Sequence, residues 1–113
     1  MPKKEDVFSR QIKSVGFLDF PHDVTIENRQ AAYDAYHQLV RGKIKVLGLN
    51  FKDTQFMNSG GLGLLISLVE DARQAGQQVY AFGLDPYHRK LFRVVGLLER
   101  VTLIAEENEI ELN

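Results

Sequence analysis

Two apolar runs with one amphipathic stretch between them restrict the folds open to this chain. Ile44–Asn50 (IKVLGLN) and Gln78–Leu84 (QVYAFGL) are almost continuously apolar. Near-continuous apolar character suits strands covered on both faces, as in parallel sheets. Between them Leu62, Leu65, Ile66 and Val69 recur at helical spacing and Ala72 continues the stripe. Glu70, Asp71, Arg73 and Gln74 mark the solvent side, and Gly76 ends the segment. Strand, helix and strand in that order form a right-handed parallel crossover.

The alternation extends both ways. Val7–Lys13 and Val15–Phe20 read as short strands, the second ended by Pro21. A helix begins near Thr25, with Thr25 or Asp23 as its cap. Its inward residues are Ala32, Tyr36, Leu39 and Val40, and Gly42 closes it. Phe51–Asn58 is a loop. Asp85-Pro86 opens a third helix by the cap-then-proline device. Tyr87, Leu91, Val94 and Val95 face inward and Gly96 stops it. Val101–Ala105 is a last strand. The tail Glu106–Asn113, with glutamates at 106, 107, 109 and 111, is a final amphipathic turn or a frayed, solvated end. The expected architecture is α/β: one domain over residues 1–113, with a mostly parallel mixed sheet of four to five strands and helices packed against it.

Composition removes several function classes. At 44% hydrophobic and 26% charged residues, the chain can build one core and is unlike a disordered segment. Its formal net charge of −1 lacks the basic excess of a nucleic-acid binder, and Lys3 and Lys4 do not supply it. The absence of cysteine excludes disulfides, thiolate catalysis and Cys-ligated zinc, and fits a reducing compartment. Met1–Arg10 is too charged for a signal peptide, and no apolar run approaches the roughly 20 residues that span a bilayer. A soluble, cytoplasmic protein without membrane insertion is expected.

The chemistry concentrates in Phe56-Met57-Asn58-Ser59-Gly60-Gly61-Leu62-Gly63. Phe56 and Met57 anchor the loop in the core. Asn58 and Ser59 fall where the central helix begins, and its first N–H groups have no partners within the helix. Gly60 and Gly61 bare the backbone to close approach. Ser59 or Asn58 is therefore a simple cap, worth about 1 kcal/mol, or Ser59 is an exposed hydroxyl on a rigid helix start. A nucleophile elbow would need glycine where Met57 stands, and nothing brings His22, His37 or His88 to Ser59 as a base. No catalysis is expected. A phosphate-binding P-loop would need a lysine that is missing here. The three histidines lack metal-ligand spacing, and no cofactor is implied. Tyr33 and Tyr36 read as packing residues.

The run FMNSGGLGLLISLVEDARQAG, preceded by IKVLGLNFKDTQ and followed by VYAFGLDP and RKLFRVVGLLERV, resembles a STAS domain. This domain is shared by anti-sigma factor antagonists and sulphate transporters. The resemblance covers residues 44–104 by motif and 7–43 by element order. The family hallmark is Asp-Ser-Ser-Gly-Leu-Gly, with the phosphorylated serine directly after the acid; here that serine is Ser59. Gly96-Leu97 also fits. Three positions depart: Asn58 replaces Asp, Gly60 replaces the second Ser, and Gly48 stands where the central strand often carries Asp.

The resemblance implies a STAS-like fold and an anti-sigma factor antagonist acting in transcription regulation by partner switching. Its partner would be an anti-sigma factor that is also a serine kinase. Phosphorylation at Ser59 would release it, and a PP2C-type phosphatase would reset it. The implied contact surface is Asn58, Ser59, Gly60, Gly61 and Leu62, with His22 and Asp23 and with Asp85 from neighbouring turns. All three turns follow a strand and precede a helix, so they can share one sheet edge. His22-Asp23 reads equally well as an ordinary turn and cap. The alternative is a STAS module serving, without phosphorylation, as a regulatory or structural subunit of a transporter or signalling complex.

Overall fold

The computed structural model describes residues 6–112; Lys3, Lys4 and most of the N-terminal segment lie outside it. In chain order the elements are β1 (Phe8–Ile12), β2 (Val15–Asp19), β3 (Asp23–Val24), α1 (Arg29–Arg41), β4 (Val46–Asn50), β5 (Phe56–Met57), α2 (Ser59–Gln74), β6 (Gln78–Phe82), α3 (Pro86–Val94) and β7 (Thr102–Leu103). Five strands make a mixed sheet in the order β1-β2-β4-β6-β7, with β1 antiparallel and the others parallel. β3 and β5 pair separately, in parallel.

The three crossovers each step one place in the same direction, so a shared hand brings all three helices to one face. There Leu18, Leu47, Leu49, Val79 and Ala81 meet α1 (Ala32, Ala35, Tyr36, Leu39), α2 (Leu64, Leu65, Leu68, Val69, Ala72) and Phe92 of α3. The opposite face carries a second cluster, Val15, Phe17 and Phe82, closed by Ile110. The apolar strands are thus covered on both faces, but the second cover is the tail.

Of the two readings of the tail, the amphipathic turn holds and the frayed, solvated end does not. Glu107–Glu109 forms a 3-10 turn, and Glu109 accepts the N–H groups of Ala105 and Glu106, both at 2.7 Å. Arg10 bridges Glu107 (2.9 Å) and Asp19 (2.6 Å), and Asn50 donates to Asp19 at 2.8 Å. Gly48 has a local reason. A Cβ there would lie 2.8 Å from the Phe17 ring and 3.1 Å from Ile110, in the space both side chains use.

The helices occur where expected, but parts of their buried stripes do not. Thr25, not Asp23, caps a 3-10 turn at Ile26–Asn28, and α1 follows. Val40 is exposed, and Ala35 takes its place inside. On α2 Ile66 is exposed and Leu62 only half-buried, whereas Leu64 and Leu68 are fully inside. On α3 Tyr87, Val94 and Val95 are exposed, and the buried pair is His88 and Phe92. The cause on α3 is visible. The His88 ring is 2.8 Å from the capping Asp85 carboxylate, and Phe92 packs edge-on against Phe51. Glycines end the helices as expected: Gly76 and Gly96 have φ of 82° and 81°, which side chains disfavour. Tyr33 and Tyr36 do pack, and their hydroxyls bond Ser67, Asp71 and Gln77. Among the described residues no helix is long and apolar enough to cross a membrane.

Candidate functional site

β2, β4 and β6 are parallel and end in register, at Asp19, Asn50 and Phe82. The loops leaving them therefore share one edge of the sheet. Two of these loops are zipped together. Gln55 and Phe56 donate their N–H groups to the His22 carbonyl at 2.8 and 3.1 Å, and the Thr54 hydroxyl donates to Pro21 O at 2.7 Å. The β3–β5 pair continues the seam, so the expected plain loop at 51–58 contains a strand. Strand alternation then separates its two apolar residues. Met57 is buried, but Phe56 is 48% exposed and does not anchor the loop.

The helix start divides its roles between two residues. Asn58 is extended, and its side-chain oxygen accepts the Gly61 N–H at 2.9 Å. Asn58 is therefore the cap, and Ser59 is the first helical residue. The Ser59 side chain is exposed, and its hydroxyl has no hydrogen-bond partner among the described residues. Gly61 is pressed beneath: a Cβ there would lie 2.0 Å from the Val24 carbonyl oxygen. Gly60 sits against Ile26, where a Cβ would be 3.1 Å from the Ile26 Cβ.

Gly63 differs from both. A Cβ there would meet nothing within 4 Å, so the packing gives no reason for a glycine that costs a helix about 1 kcal/mol. Ser59, Gly63 and Ile66 share one helix face, four and then three residues apart. With exposed Ile26 and Phe56 beside them, they form an apolar rim with bare backbone around one free hydroxyl. Sequence reasoning missed Ile26, Phe56 and Ile66 as surface residues. The only available signal was Gly63, a helix-interior glycine one turn beyond the serine.

The flanking turns differ in their relation to Ser59. His22 and Asp23 are exposed, with Nδ1 and Oδ1 2.5 Å apart, and backbone bonds tie their turn to the Ser59 loop. Asp85 stands apart. Its carboxylate caps α3, accepting the His88 N–H at 2.8 Å, and that bond holds it below the usual carboxylate range despite some burial. The turn before it packs on the start of the 51–58 loop, where a Cβ on Gly83 would lie 2.6 Å from Lys52 N, at the opposite end of that loop from Asn58. No hydrogen bond or ion pair joins Asp85 to residues 56–62 among those described.

No histidine is hydrogen-bonded to Ser59: His22 pairs with Asp23, and His88 is buried against Asp85. His37 lies against Tyr33 and Tyr36. Among the described residues no group of three His, Asp or Glu could hold a metal ion.

Solved structures share this architecture. An anti-sigma factor antagonist from Mycobacterium paratuberculosis matches with a TM-score of 0.74 at 15% identity, covering 96% of this chain and 94% of that one. The Bacillus cell fate determinant SpoIIAA in its phosphorylated form matches at 0.70 and 16% identity, covering 91% and 95%. The anti-sigma factor antagonist SpoIIAA in its unphosphorylated form matches at 0.72 and 13% identity, covering 91% of each chain. The sequence itself matches the STAS domain over residues 8–110, nearly its whole length. The chain belongs to the STAS domain family.

Proposed function

We propose that this protein is a cytoplasmic anti-sigma factor antagonist whose Ser59 face docks on an anti-sigma factor with serine kinase activity. Phosphorylation of Ser59 releases it, and a PP2C-type phosphatase restores it. The observation carrying this reading is the division of labour at the start of α2: Asn58 caps the helix, so the Ser59 hydroxyl is exposed and unpartnered. Residues 1–113 act as one STAS-like unit and have no catalytic role of their own.

A phosphate adds about −1.5 to −2 charge. At the first turn of α2 the helix dipole favours that charge by about 0.3–1 kcal/mol, so the free protein keeps its fold. Beneath a docked partner the same charge must lose water. An unpaired buried charge costs several kcal/mol, and each 1.4 kcal/mol is tenfold in affinity. Release therefore needs no shape change in the antagonist.

The partner surface comprises Asn58, Ser59, Gly60 and Leu62, with His22 and Asp23 beside them and Ile26 and Phe56 as an apolar rim; Gly61, expected on that surface, is instead buried beneath it against Val24 and supports the loop. Asp85 is at most peripheral, since its carboxylate serves α3. Incubation with ATP and the candidate kinase, followed by mass spectrometry, tests the reading. Phosphate should map to Ser59, and Ser59→Glu should lose binding while keeping its circular dichroism spectrum. An unmodified Ser59, or a Ser59→Glu variant that binds like wild type, would overturn it. Stable co-purification with a membrane transporter would then favour a structural subunit.

A further inference from the structure

Helix α3 carries an apolar and basic outer surface that the Ser59 reading does not use. From Pro86 to Leu98 there is no acidic residue, and Arg89, Lys90 and Arg93 are all exposed. None of the three is in an ion pair with a described residue. Other described cations, Arg29 and Arg41 among them, are likewise without an ion pair, so what sets these three apart is their grouping within five residues of one short helix. Tyr87 (65%) and Val94 (72%) are the two most exposed large hydrophobic side chains described, and both stand on this helix.

At 100° per residue, Lys90 occupies the centre of the outward face, with Arg93 and then Arg89 along one side of it and Val94 and Tyr87 along the other. The buried pair His88 and Phe92 faces the opposite way. Of the tail glutamates, Glu109 lines one surface cleft with Arg89, whereas Lys90 and Arg93 stand on a stretch without acidic residues, in a chain whose total is only −1. Composition hides this cluster.

We propose that the outer face of α3 docks on the surface of an anionic lipid bilayer. Charge selects that occupant: Arg89, Lys90 and Arg93 complement anionic headgroups, and Tyr87 and Val94, the most exposed large apolar side chains, stand beside them. Basic residues beside exposed apolar ones mark interfacial helices, and Tyr favours the headgroup level. Each cation near an anionic surface contributes about fivefold in affinity, and three contribute roughly a hundredfold. So short a contact holds the protein reversibly, and salt weakens it. The proposal does not depend on phosphorylation of Ser59.

The test is co-sedimentation of the full chain with vesicles of mixed phosphatidylglycerol and phosphatidylcholine, and with phosphatidylcholine alone. Binding should appear only with the anionic vesicles and disappear at high salt. The Arg89→Gln/Lys90→Gln/Arg93→Gln variant should lose about a hundredfold. Tyr87→Ser/Val94→Ser should lose severalfold with unchanged thermal melting, because both side chains are exposed. No binding to anionic vesicles at low salt overturns the proposal. So does equal binding to soluble polyglutamate that Tyr87→Ser/Val94→Ser leaves unchanged, since that would show a purely ionic site for acidic chains.

Discussion

Gly61 and Gly63 stand two residues apart on α2, and the same substitution should move stability in opposite directions. At Gly63 an added Cβ enters open space, so Gly63→Ala gains only what alanine gives a helix, about 0.5–1 kcal/mol. For 113 residues the unfolding entropy is about 0.24 kcal/mol/K, which makes that a rise in Tm of roughly 2–4 °C. At Gly61 the Cβ would lie 2.0 Å from the Val24 carbonyl oxygen and 3.1 Å from Thr25 N, so the contacts are backbone. Val24 is fully buried and paired in the β3–β5 seam, and cannot yield cheaply. Overpacking of this kind costs about 1–3 kcal/mol, and the upper end less the helix gain leaves a net loss of about 2 kcal/mol. Gly61→Ala should therefore melt roughly 8 °C below wild type. Thermal and urea unfolding, followed by circular dichroism, read both. Gly63→Ala should also bind the partner more weakly despite its extra stability, because its methyl projects from the docking face. If Gly61→Ala is as stable as wild type, the pressed contact with Val24 does not hold the Ser59 loop, and the reasoning fails.

Three further outcomes follow from the same contacts. Asn58→Ala should lose about 1 kcal/mol of stability in urea unfolding, whereas Asn58→Asp keeps the acceptor and gains about 0.3–1 kcal/mol, diminishing with salt. Ile110→Ala should cost about 2–4 kcal/mol and raise the binding of a hydrophobic dye, because Ile110 closes the second cluster over Phe17 and Phe82. Burial pushes the Asp19 carboxyl up, but the hydrogen bonds from Arg10 and Asn50 and the Arg10 charge outweigh it, leaving Asp19 below the usual range. Its folded pKa is thus below its unfolded value, so its contribution is complete above about pH 4 and lost as pH falls through the folded value. The urea midpoint of Asp19→Asn should therefore drop less than that of wild type between about pH 5 and about pH 2.5.

The order and kind of the main elements were legible because their signals are local. Apolar runs, the Asp85-Pro86 cap and the helix-stopping Gly76 and Gly96 need no knowledge of the partner surface. Helix phase is a tertiary property. On α3 the lines Tyr87–Leu91–Val94 and His88–Phe92 both have helical spacing, and the Asp85–His88 contact with the Phe51 ring decides between them. The β3 and β5 strands have two residues each, too few for an alternation to be seen. Burial of Ile110 depends on the space that Gly48 leaves across the sheet beside Phe17. At the candidate site the glycine cluster pointed to Ser59. The exposure of Phe56 was hidden because it depends on the pairing of β5 with β3.

The exchange of Asn for the family's Asp at position 58 separates two roles that an acid there would combine. Accepting the Gly61 N–H requires only an oxygen in the right place, and Asn58 supplies one at 2.9 Å. A negative charge beside the serine is the other role, and that is absent. The scaffold under Ser59 is accordingly kept, by the cap and by the Gly61 contact with Val24, while the electrostatics above it are altered. A charge switch requires both properties: a base that tolerates the added phosphate and a surface that does not. On the proposed function, a phosphate on Ser59 at the start of α2 would be mildly favourable in the free protein and strongly unfavourable under a cover, so the same modification would have opposite signs in the two states. Nearly all of its effect then falls on the docking equilibrium and very little on the fold.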